Sequence, residues 1–212
     1  MRGLELRGAG NLLGVQQSGH IAGVGFDLYC QLLRQSVNRL KGDPSAIRIR
    51  ATVNLDFVYQ GSSVDRKNVE TPTGFNALRN EELESSRIKP IEAAIPSDYV
   101  PETRLRIELY RRLAMAQEHD EVSAMEEEMI DRFGKLPHAL KHLLSITRIR
   151  VAAEAIGIKS VESEGNRLKC RVASSRSVEY LKLNGRFPRL TQNKAHLRLR
   201  EIEHFLARQR PK

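Results

Sequence analysis

Tryptophan is absent from this 212-residue chain, and aromatic residues make up only 5% of it. Platforms on which single-stranded bases could stack are therefore scarce, which argues against an autonomous single-strand binder. Cysteine is nearly absent too. Cys30 and Cys170 each sit among apolar positions, the pattern of buried thiols and not of a disulfide framework or a zinc site. No apolar run approaches the roughly 20 residues that a membrane-crossing helix needs, and no signal-peptide core is evident, so the expectation is a cytosolic chain without membrane contact. Neither a GxxxxGK[ST] phosphate loop nor an acidic helicase box of the DExH type occurs, which removes the residues that bind and hydrolyse ATP. His138 and His142 share a helical face, but Ala139 stands where a metalloprotease helix carries glutamate. With no third ligand in view, no metal is expected. No Ser/His/Asp or Cys/His arrangement has a local signature, and no catalytic residue is assigned.

Charge is present but unevenly placed. The net +9 comes from the tail: residues 167–212 hold 13 basic and 3 acidic side chains, against 22 and 23 in residues 1–166. Arg198, Arg200, Arg208 and Arg210 are candidate contacts for DNA phosphate or an acidic protein face, weighed against a merely solvated surface. The opposite bias lies upstream. Glu118–Asp131 contains seven acids and no Lys or Arg, which reads as the exposed face of a helix and an intramolecular partner for basic surface.

The densest local signal is Arg7-Gly8-Ala9-Gly10-Asn11-Leu12-Leu13-Gly14-Val15-Gln16-Gln17-Ser18-Gly19. Gly8, Gly10, Gly14 and Gly19 give backbone freedom, Arg7 offers a rigid five-donor fork, and Gln17 offers both a donor and an acceptor. The glycine spacing is not that of a dinucleotide loop. Taken with Leu4-Glu5-Leu6, this order is similar to the TRG motif shared by replication-fork regression helicases and transcription-repair coupling factors. Ala9, where the fork helicases usually carry proline, and Gly25-Phe26-Asp27-Leu28-Tyr29 point to the coupling factors. Gly3 departs from the acidic residue usual there, which leaves either an altered start or one missing polar contact. A second block, Ile95-Pro96-Ser97-Asp98-Tyr99-Val100-Pro101, then Leu109-Tyr110-Arg111-Arg112-Leu113-Ala114 and Ile130-Asp131-Arg132-Phe133-Gly134-Lys135-Leu136-Pro137, resembles the C-terminal domain peculiar to that family.

The element reading gives an α+β chain: the TRG loop and helix, a long strand, then a helical and mixed-sheet C-terminal domain. Residues 1–45 hold the TRG segment and a helix at 20–42 with the apolar stripe Phe26, Tyr29, Leu33, Val37 and Leu40. Residues 46–90 hold one alternating strand from Ile47 to Tyr59 and a polar linker from Gly61 to Lys89, longer than the family resemblance leads one to expect. Residues 91–212 form the third region. Pro101 suits the opening turn of a helix through Ala114; a second helix carries Val122, Met125, Met129 and Phe133 and ends at Gly134; a third runs from Pro137 to Ala155 and stops at Gly157. Ile158–Glu162 and Arg167–Val172 read as a hairpin joined by Ser163–Asn166. A short helix near Ser175–Leu183, strands near Arg189–Thr191 and His196–Leu199, and a final helix with Ile202, Phe205 and Leu206 complete the expectation.

What the resemblance implies is part of a machine. In the family, the TRG segment ends the second motor domain and links nucleotide-driven closure to movement along double-stranded DNA; Arg7 and Gln17 match its polar positions. Its C-terminal domain packs on an N-terminal module and hides the surface that recruits the damage-recognition ATPase. The implied partners are the remaining motor and N-terminal modules, duplex DNA, RNA polymerase and that ATPase. ATP and magnesium belong to the parent motor and no cofactor to this chain. The competing reading is a free-standing basic DNA- or protein-binding module without motor activity.

Overall fold

The computed structural model describes residues 51–59, 88–172 and 179–209. The TRG loop, the helix expected at 20–42 and almost all of the Gly61–Lys89 linker lie outside the described residues. What is described is α+β. Short strands β1 (Thr52–Asn54), β2 (Val58–Tyr59) and β3 (Ile91–Glu92) precede helices α1 (Thr103–Met115), α2 (His119–Phe133) and α3 (His138–Ala155); strands β4 (Ile158–Glu164) and β5 (Arg167–Val172) and helix α4 (Ala195–Arg208) follow.

Helix α3 is the centre of the domain. Leu140, Leu143, Leu144, Ile146, Thr147, Ile149 and Val151 to Ala153 are all buried, and a helix apolar on nearly every side must be surrounded. It packs against α1, α2, α4, β1, β3 and β4. Its ends lie close to where the sequence puts them: Pro137 is the N-cap, one residue ahead of the first helical position that proline favours, and Gly157 leaves the helix at φ 75°. Helix α2 opens with a Glu118/Glu121 capping box and closes at Gly134, φ 82°, so orphan amides at one end and carbonyls at the other are satisfied locally. Pro101 sits one residue before the N-cap Glu102 of α1, outside the first turn in which it was expected. There Arg106 donates to the carbonyls of Val100 (2.7 Å) and Pro101 (2.9 Å).

Three strands form the main sheet in the order β1-β4-β5, with β1 parallel to β4 and β4 antiparallel to β5. A second, two-stranded sheet pairs β2 with β3 in parallel. Within the described part of the single strand expected from Ile47 to Tyr59, residues 51–59, there are therefore two strands. The cause is Asp56: its carboxylate accepts from Ser163 Oγ (2.5 Å) and from the Gly165 amide (2.6 Å), while Val58 N–H bonds back to Leu55 C=O (3.0 Å). A turn replaces the ladder, and the chain passes from one sheet to the next. Burial still alternates through it, with Ala51, Val53, Leu55 and Phe57 all in the core.

Three further expectations are corrected. The β4–β5 hairpin closes through Gly165 and Asn166 alone, Gly165 at φ 58°, not through four residues. Residues 179–183 are not helical: Val172 N–H bonds Glu179 C=O and Leu181 N–H bonds Cys170 C=O, both at 2.8 Å, so this segment lies antiparallel on β5. It then makes a tight reversal, Leu183 and Arg186 exchanging both backbone bonds around Asn184 (φ 50°) and Gly185 (φ 76°), before Arg189 bridges Arg167. Finally, His196–Leu199 is the first turn of α4 and not a strand. Ala195, Arg198, Leu199, Ile202 and Leu206 are its buried stripe, a helical spacing that the local Leu/Arg alternation concealed.

Candidate functional site

The motor-coupling residues Arg7, Gly8, Gly10, Gly14, Gln17 and Gly19 lie outside the described residues, as does Arg210. The basic tail can be placed in part, and its arginines differ sharply. Arg198 is only 5% exposed. Its Nε donates to Gln192 C=O (2.7 Å), Nη1 to Gly165 C=O (2.6 Å) and Nη2 to Asn166 Oδ1, while its guanidinium lies 5.6 Å from the Phe57 ring centroid. Burial lowers its pKa against the opposing pull of Asp56 and Glu201. The expectation that Arg198 meets DNA or an acidic partner is thus corrected: all three of its nitrogens are engaged inside the fold, two tying α4 to the β4–β5 turn and one holding the loop ahead of α4. Arg200 and Arg208 are exposed.

Arg200 borders a cleft of about 400 Å³ that is also lined by His119 of α2, Arg148 and Ala152 of α3, and Glu203, His204 and Ala207 of α4. Glu203 is its odd member. Burial raises its pKa against a Ser145 hydrogen bond and the attraction of Arg148 and Arg200, and Glu126 adds to the rise. One of its oxygens, Oε1, is buried without a hydrogen-bond partner among the described residues. Arg148 pairs with Glu126 of α2. The cleft gathers charge of both signs and can hold a polar group.

The acidic run upstream is now specific. Glu128 takes both guanidinium nitrogens of Arg112 (3.0 and 2.6 Å) and one of Arg132 (2.9 Å). Those hydrogen bonds, Arg112 first, hold its carboxyl down at about 2. Glu121 caps its own helix by accepting from the amides of Gln117 and Glu118. What remains outward is the i, i+4, i+7, i+11 stripe of Asp120, Ala124, Glu127 and Asp131, with Ile130 beside it and 46% exposed. Acid and apolar surface share one face there.

The two histidines of the i, i+4 pair have ring centroids 6.5 Å apart, and His142 Nδ1 lies 2.8 Å from Glu92 C=O, joining α3 to β3. Burial lowers the His142 pKa. Among the described residues no group of three His, Cys, Asp or Glu side chains could hold a metal ion, and no helix is long and apolar enough to cross a membrane. Cys170 is a buried free thiol whose pKa burial pushes up to about 12.

Similarity to known proteins runs along these same elements. The TRCF domain family matches residues 90–183. A transcription-repair-coupling factor of Mycobacterium tuberculosis is 38% identical over 162 residues, 76% of this chain and 11% of that protein. One from Escherichia coli is 32% identical over 161 residues, 75% of this chain and 11% of that protein. One from Buchnera aphidicola is 30% identical over 205 residues, 95% of this chain and 22% of that protein. The chain thus spans about a tenth to a fifth of the length of these relatives. A solved C-terminal domain of transcription-repair coupling factor superposes with a TM-score of 0.47 at 17% identity, over 78% of this chain and 98% of that one. Residues 90–183 form a TRCF domain, and the chain belongs to the transcription-repair-coupling factor family.

Proposed function

We propose that this chain is a C-terminal piece of a cytosolic, ATP-dependent double-stranded DNA translocase that couples transcription to excision repair, with the engine supplied by other domains. The observation that carries this reading is the order of its parts: a TRG-type segment at residues 4–19 stands ahead of a TRCF domain at 90–183. The residues that would hold ATP and magnesium are not in this sequence, so the chain transmits and regulates. Arg7, set among glycines in the sequence, would pair with an acceptor in one closure state of the motor and lose it in the other, which biases two conformations. RNA polymerase and the damage-recognition ATPase are engaged through the parent protein.

The regulatory half of this reading rests on the outward stripe of α2. Asp120, Glu127 and Asp131 with exposed Ile130 offer the chemistry that closes on a basic surface of an N-terminal module. Three measurements test the proposal. The isolated chain is expected to hydrolyse no ATP with or without duplex DNA; robust turnover rejects the non-catalytic reading. In the parent protein, Arg7→Ala is expected to leave nucleotide binding intact and abolish translocation, and Glu127→Lys with Asp131→Lys to increase capture of the damage-recognition ATPase. Unimpaired translocation rejects the coupling role, and unchanged capture rejects the clamp.

A further inference from the structure

The outer face of the main sheet carries charge that the fold does not use. Along β5, Leu168 and Cys170 point into the core, so Arg167, Lys169 and Arg171 share the opposite face. The neighbouring segment adds to it. Arg189 bridges Arg167 and Tyr180 bridges Arg171, which sets these side chains on that same face. Lys182 lies 5.7 Å from the Phe187 ring, and Phe187 packs edge-on to Tyr180, also at 5.7 Å. Exposed Arg186 sits at the tip of the reversal.

Lys169 is neutralised by Glu164 at 2.7 Å, and β4 contributes Glu162 opposite it. Among the described residues no ion pair accounts for Arg167, Arg171, Lys182, Arg186 or Arg189. Arg167 faces Glu164 of β4 on one side, a carboxylate already engaged by Lys169, and Arg189 on the other; that second juxtaposition is informative, because like charges directly opposite one another on a sheet destabilise it. A surface serving solubility alone has no need to place them so. From Arg167 to Arg171 the strand advances about 13 Å, a distance over which one DNA strand carries about four phosphates. The half-exposed Tyr180 and the partly buried Phe187 are too few for a stacking platform, which favours a duplex over a single strand.

We infer that this face, built from Arg167, Arg171, Lys182, Arg186 and Arg189, binds the phosphate backbone of duplex DNA, and that it, and not Arg198, is where the basic tail meets nucleic acid. Backbone contact by this face requires neither ATP nor a TRG segment, so it stands whether or not a motor is attached.

The test is fluorescence anisotropy of a labelled 25-base-pair duplex with the full chain, at 50 and 200 mM salt. Two charge-matched triple variants are compared: Arg167→Gln/Arg171→Gln/Arg189→Gln, and Arg104→Gln/Arg111→Gln/Arg208→Gln, whose cations are exposed on α1 and α4. The first is expected to weaken duplex binding at least tenfold and to flatten the salt slope by about 3, with the second close to the parent chain. All six side chains are exposed, so matching thermal melts accompany either result. Equal losses in the two variants, tighter binding of a single strand than of the duplex, or binding of a poly-glutamate peptide in place of DNA would each overturn it.

Discussion

At the residue scale, two positions apart in sequence can mean opposite environments. Arg198 and Arg200 share a face if their segment is a strand, but lie roughly 200° apart on a helix. The segment is helical, so one is buried and the other lines the cleft. Nothing in composition separates them; helical phase does. Arg198→Met is expected to cost about 3 kcal/mol in urea denaturation, because three acceptors lose a charged donor. Arg198→Lys should rescue little, since a point charge cannot reproduce the fork. Glu128 gives a pH-dependent case. Its depressed carboxyl contributes stability that is fully present above about 4.5 and lost as pH falls toward about 2. Glu128→Gln should therefore lower stability by about 1 kcal/mol at pH 7, as befits a half-exposed pair, with the gap closing across that acidic window in thermal melts. Glu203 runs the other way. Its raised pKa means that stability present at low pH is lost as pH rises through it, so Glu203→Gln should raise the melting temperature at pH 7 and leave it unchanged below the ordinary carboxyl range.

At the element scale, punctuation was the most legible feature. Pro137, Gly134 and Gly157 bound α2 and α3 where their backbone chemistry demands. Gly157→Ala is expected to destabilise by about 1 kcal/mol. A methyl there meets nothing within 4 Å, so the cost is purely that of φ 75°; a calorimetric melt reads it directly. The failures have a common origin in contacts distant along the chain. Asp56 looked like the polar member of an alternating strand, and only Ser163 and Gly165, 107 and 109 residues away, make it a turn. Residues 179–183 have helical composition, yet β5 offers an open edge and the ladder wins. The Asn184-Gly185 pair is different. Its residues alone mark a tight reversal, since both adopt positive φ readily, directly after the short helix expected near Ser175–Leu183.

At the scale of the molecule, the sheet crosses the boundary that composition drew at residue 90. Strand β1 pairs with β4 over Thr52–Asn54 and Ser160–Glu162, and Ala51, Val53, Leu55 and Phe57 are core residues. A fragment of residues 88–212 loses all four, at about 1.5–3 kcal/mol for each of the larger side chains, against a typical domain stability of about 5–15 kcal/mol. It should unfold at a markedly lower urea concentration than residues 51–212; equal midpoints would show that the early strands are passengers. Buried Arg150 reinforces the tie: it caps the carbonyls of Leu113 and Ala116 and grips Glu154, whose Oε1 receives the Ala51 amide. Pulling on the chain ahead of Ala51 would load β1 along its length, in shear against β4, where its ladder bonds must yield together and not one by one. The domain is therefore moored at its upstream end like a rope cleated to a dock, so displacement of the preceding segment is delivered to the whole sheet before any strand lets go.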